Sequence, residues 1–132
     1  MSASDDRRRL LLRDLDRIVE SLGEALARPE ERFARDSALL HFNLAFEVAW
    51  KLLQSIAARE GVDVASPRAA FGFALRIGLV EDEVGWRRVL EARNDAVHLY
   101  RASLAESLYA ELGGFLELFG GLAAAIHRLE SD

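Results

Sequence analysis

From Arg93 to Tyr100 the chain reads RNDAVHLY, which puts an arginine, an amide, a histidine and a tyrosine within two helical turns. Trp86, Val89, Arg93, Ala96 and Tyr100 follow a three-four alternation, and all but Arg93 suit a packed helical face. A guanidinium there must be paired, reach the bundle edge or line a cleft, because an unpaired buried charge costs several kcal/mol. On a continuous helix Asn94 and His98 are i, i+4 neighbours, so the amide can hold the imidazole in one tautomer. His98 lies about 140° around the helix from Arg93, so the two flank one edge instead of stacking.

Histidine and arginine at one edge are sufficient for metal-free RNA cleavage. Histidine takes the ribose 2′-hydroxyl proton or protonates the leaving 5′-oxygen, and arginine stabilises the charge on the phosphorane. One histidine does not readily do both, whereas a symmetric homodimer would bring a second His98 to the same groove. By spacing alone Arg-x4-His is a weak pattern that reads first as a helix-end ion pair beside an exposed histidine. Tyr100, about 10 Å along the axis from Arg93, reads by spacing as a core tyrosine that ends the Trp86 stripe. Glu47 and Lys51 form an i, i+4 pair that is either structural or site-lining.

Other chemistries find little support. There is no cysteine, and His41 and His127 have no carboxylate or histidine at metal-ligand spacing, so neither a metal nor another cofactor is expected. Gly72 and Gly78 form no phosphate-cradling loop and no G-x4-GK occurs, so the chain does not read as an ATP-binding protein. Arg7, Arg8 and Arg9 read as a solvated helix start, nearly offset by Asp5 and Asp6.

The elements that must position these groups are all helical. Leu11, Leu15, Ile18, Leu22 and Ala25 predict a helix over about 6–28, ending before Pro29. A second helix is expected from Asp36 or Ser37, which can cap it, to about Glu60. Its stripe is Leu39, Phe42, Phe46, Ala49, Leu53 and Ile56, with a second apolar row at Leu40, Leu44, Val48 and Leu52 that needs a further cover. Ser66-Pro67 opens a short third helix that Gly78 stops, with Phe71, Ala74 and Leu75 inward, and a fourth starts near Asp82. Ser103 and Glu106 form a capping box for the last helix, which runs to about Leu129 with Gly113-Gly114 and Gly120-Gly121 inside it. Those pairs imply either a kink or a close crossing. The expected fold is all-α: an antiparallel four-helix bundle with one additional short helix.

The 132 residues make one domain, 1–132. A net charge of −5 argues against coating nucleic acid, so no DNA partner is expected and any RNA contact must be local. Lys51 is the only lysine among the 17 bases, a bias attributed first to genome composition. The start, MSASDDRRR followed by Leu10 to Leu12, reads as neither a signal peptide nor a membrane span, so a cytoplasmic protein is expected.

FNLAFEVAWKLL (42–53), SPRAAFGFALRIGLVED (66–82) and W-x6-RN-x3-H-x-Y (86–100) together resemble the HepT-type proteins of the HEPN superfamily, also catalogued as nucleotidyltransferase substrate-binding proteins. The resemblance spans nearly the whole chain. It implies a homodimeric HEPN-like bundle encoded beside a minimal, MNT-type nucleotidyltransferase, the two forming a toxin-antitoxin pair. In that scheme the toxin is an RNase using Arg93 and His98, with Asn94 the polar residue after the arginine, and the antitoxin transfers AMP to Tyr100. The alternative is a non-catalytic substrate-binding or regulatory subunit of that nucleotidyltransferase.

Overall fold

The computed structural model describes residues 2–131, and among them there are helices and turns but no strands. Helix α1 spans Ala3–Ala27, α2 Arg32–Arg59, α3 Pro67–Arg76, α4 Glu83–Asp95 and α5 Ala102–Ser131; a 3-10 turn at Ala96–His98 follows α4. The expected all-α bundle with one short extra helix is what forms.

Local chemistry sets most of the ends. Ser2 and Asp5 make a reciprocal capping box on α1, Ser66 caps α3 ahead of Pro67, and Asp82 accepts from the Gly85 amide to cap α4. Gly61 and Gly78 close α2 and α3 with positive φ, which costs glycine little. Three starts differ from the sequence expectation: α1 begins at Ala3 on its Ser2 cap instead of near residue 6. Helix α2 begins at Arg32 because the Glu31 carboxylate accepts from the Phe33 and Ala34 amides, earlier than the Asp36 or Ser37 cap. Helix α5 begins at Ala102, its first turn closed by the Leu104 and Ala105 amides on the Arg101 carbonyl, so Ser103 lies inside the helix instead of capping it.

Helices α1, α2 and α5 pack mutually, while α3 and α4 lie across α2 and α5. Rings from four helices join them: Phe46 meets Phe71 at 5.7 Å, Phe71 stacks on Trp86 at 4.8 Å, Trp86 meets Phe119 edge-on at 5.3 Å, and Phe42 stacks on Phe115 at 5.3 Å. Such pairs contribute roughly 0.5–1.5 kcal/mol each beyond burial. Arg88 clamps α4 to α5 with a bidentate bond to Glu111, at 2.7 and 2.6 Å, and that carboxylate raises its pKa further.

Helix α5 is long and apolar enough to cross a membrane by length and composition. Its stripe of Leu108, Leu112, Phe115, Phe119, Leu122 and Ile126 is buried in the bundle instead. Both glycine pairs lie within this unbroken helix, and a Cβ at any of the four would meet nothing within 4 Å. They are therefore neither a break nor a crossing point inside the chain.

Candidate functional site

The middle of α2, the end of α4 and the turn that follows bring part of the R-N-x3-H-x-Y segment together. Arg93, in the last turn of α4, reaches Glu47 on α2, Nη2 to Oε1 at 3.3 Å, and its guanidinium lies 5.7 Å from the centre of the buried Phe46 ring. The arginine expected to need a partner thus has two. Its Nε is nonetheless buried without a hydrogen bond, as is Oδ1 of Asn43, one turn before Glu47. Nothing in the sequence reading pointed to Asn43, because an amide inside a helical stripe carries no distinctive spacing.

Lys51 stands 4.0 Å from the other Glu47 oxygen, so Glu47 lies between two cations. Both Glu47 and Lys51 are substantially exposed, and the Lys51 contact is worth at most a few tenths of a kcal/mol. The shorter contact to Arg93 is the one that orients the glutamate.

His98 sits elsewhere on this edge. Helix α4 ends at Asp95 and the chain tightens into the 3-10 turn, which breaks the i, i+4 relation between Asn94 and His98. Nδ1 of His98 lies 3.4 Å from the Tyr100 hydroxyl, and the two rings meet edge to face at 6.0 Å. Asn94 is exposed and makes no hydrogen bond with the ring. Tyr100 is 77% exposed, so the core position that its spacing suggested is not occupied; the turn has swung it out of the Trp86 stripe. No hydrogen bond links Arg93 to His98 in this single chain: Arg93 pairs with Glu47, and His98 with Tyr100.

The surroundings are apolar. One outward strip of α2 runs Phe33, Leu40, Leu44, Glu47, Lys51, at the seven-, four- and three-residue steps of a single helical face. Phe33 is 75% and Leu40 55% exposed, and Leu44, Val97 and Tyr100 are also exposed. The predicted second row is thus open over its first half, while Leu52 is fully buried. Among the described residues no three histidine, aspartate or glutamate side chains are grouped to hold a metal ion.

The family model described as nucleotidyltransferase substrate binding protein like matches residues 10–128. No curated protein matches the chain. A solved structure from Thermus thermophilus superimposes with a TM-score of 0.76 at 26% identity, covering 83% of this chain and 96% of its own. A Haemophilus influenzae protein, described as showing the fold of a substrate binding domain of a nucleotidyltransferase, does so at 0.78 and 20% identity, covering 88% and 98%. At that identity the second likeness speaks for the fold.

Proposed function

Because the chain belongs to the nucleotidyltransferase substrate binding protein-like family, we propose that it is a non-catalytic binding subunit of a nucleotidyltransferase and engages that partner through the α2–α4 edge. The observation that carries this reading is the state of Arg93, held by Glu47 and Phe46 just before the turn that carries the exposed Val97 and Tyr100. An oriented charge bordered by apolar side chains is the anatomy of a protein interface more than of an assembled cleavage site. The strip of Phe33, Leu40 and Leu44 also supports a homodimer, through that same apolar half of α2.

The test is co-elution with a minimal nucleotidyltransferase, the partner that the resemblance implies is encoded beside it. The wild-type chain is expected to form a complex at micromolar concentration, with Val97→Glu or Arg93→Ala weakening it at least about tenfold and Ile77→Glu, exposed on the end of α3, leaving it unchanged. Absence of a complex under these conditions would overturn the reading.

A second reading, a metal-independent endoribonuclease silenced by AMP transfer, draws on the contact between His98 and the exposed Tyr100 hydroxyl. His98 would act as general acid/base, Arg93 as electrostatic stabiliser and Asn94 as their polar neighbour on the exposed edge, with RNA as substrate across a dimer. Tyr100 would accept AMP from ATP, releasing pyrophosphate. RNA incubated with the protein in EDTA separates the two readings. Products with 2′,3′-cyclic phosphate ends, reduced about 100-fold in His98→Ala and Arg93→Ala, favour the nuclease; intact RNA alongside a stable partner complex favours the binding subunit.

A further inference from the structure

At the other end of the bundle the start of α1 and the ends of α2 and α5 enclose a cleft of about 520 Å³. Along α2 it lies about 18 Å from Glu47, and the length of α5, about 45 Å, separates it from Tyr100. Four arginines line it, Arg8, Arg9, Arg13 and Arg59, with His127, against the carboxylates of Asp5 and Glu130. Asp6 pairs with Arg9, Glu60 with Arg59 and Asp16 with His127 as well, so the arginines are largely balanced and Arg13 is the lining cation that has no ion pair among the described residues.

The cluster is built, not scattered. Arg8 is 94% buried at the base of the cleft, where it pairs with Asp5, and its Nε lies 3.4 Å from Glu130 without making a hydrogen bond to any described group. Arg59 donates to both oxygens of Glu130, at 3.2 and 2.9 Å. One carboxylate thus stands between two guanidinium groups. Arg13, on the rim, makes no hydrogen bond or ion pair among the described residues, and a second cleft of about 430 Å³ shares Arg8 and Arg59 and adds Arg7.

We propose that the first cleft is a binding site for a phosphate-bearing small molecule of nucleotide size, and that it is separate from the α2–α4 edge and independent of the function proposed there. Guanidinium groups match phosphate oxygens in pairs; Arg13 offers its donors from α1, and Arg59 offers from α2 the Nη2 that its bonds to Glu130 leave out. The volume falls in the range of small-molecule sites, about 300–1,000 Å³, and leaves room for an organic portion along Leu12 and the arginine stems. A solely structural cluster would need Arg8 and Arg59 to tie the helix ends but would have no use for Arg13.

Calorimetric titration of the full chain with ATP, and separately with pyrophosphate, tests this. Saturable ATP binding is expected, tighter than pyrophosphate, with amide shifts in NMR spectra at Arg8, Arg13, Arg59 and His127 but not at 93–100. Arg13→Gln, which removes no internal contact, should melt with the wild type and bind ATP at least about tenfold more weakly, the loss of one charge-assisted phosphate contact. Arg93→Gln should bind ATP as the wild type does. No saturable binding, binding unaffected by Arg13→Gln, or equal affinity for pyrophosphate and ATP would each overturn the proposal.

Discussion

Arg93 is the position where charge and packing meet most closely. Because Arg93 and Glu47 are 31% and 40% exposed, solvent screening keeps the worth of their pair small, and a double-mutant cycle of Arg93→Ala and Glu47→Ala should give a coupling of about 0.5–1 kcal/mol. A coupling near zero would mean that Phe46, not Glu47, holds the guanidinium. Tyr100→Phe should change unfolding free energy by less than about 0.5 kcal/mol, as expected of an exposed side chain away from the core. The sequence marked Arg93 as anomalous because a charge interrupts an otherwise apolar stripe. It did not reveal the partner, since Glu47 is 46 residues away and spacing rules see only neighbours on one helix. The Asn94–His98 contact failed for a related reason: it assumed a helix that gives way to the tighter turn at Ala96.

Among the elements, apolar periodicity with Ser66-Pro67 and Asp82 located all five helices, while the starts of α1, α2 and α5 escaped. Glutamate ranks low as a cap, so Glu31 was passed over, and a backbone carbonyl, which closes the first turn of α5, leaves no mark on sequence. The cap of α1 carries a pH prediction. Asp5 is held below its usual 3.8 first by the Ser2 backbone amide, then by the Ser2 hydroxyl and Arg8. A carboxyl with a depressed folded pKa adds stability above its unfolded pKa, and that stability is lost as pH falls through the folded value. The urea midpoint should therefore drop on going from about pH 5 to about pH 3, and drop less in Asp5→Asn, whose cap has no charge to titrate. In α5, Gly114→Ala should raise stability by about 1 kcal/mol, because the helix is regular there and a Cβ meets nothing. A loss on chemical denaturation would show that this outer face is already covered by another molecule.

At the scale of the whole molecule, the exposed half of the α2 strip makes association the property to measure. Light scattering should give a dimer at micromolar concentration for the wild type and a monomer for Leu40→Glu with Leu44→Glu, both on that strip. A wild-type monomer would leave the strip to a different partner. That apolar row was legible in the sequence; the arginine-lined cleft at the opposite end was not, because its arginines come from α1 and α2 and converge only when three helix ends meet. The aromatic core has an optical consequence as well. Trp86 is 1% exposed between Phe71 and Phe119, whereas Trp50, the other indole, is only partly covered on α2. The two tryptophans should emit at separable wavelengths, the enclosed one to the blue. Time-resolved fluorescence of Trp50→Phe, which leaves Trp86 as the lone emitter, would then report whether α3 and α4 peel away from the other three helices before the bundle opens.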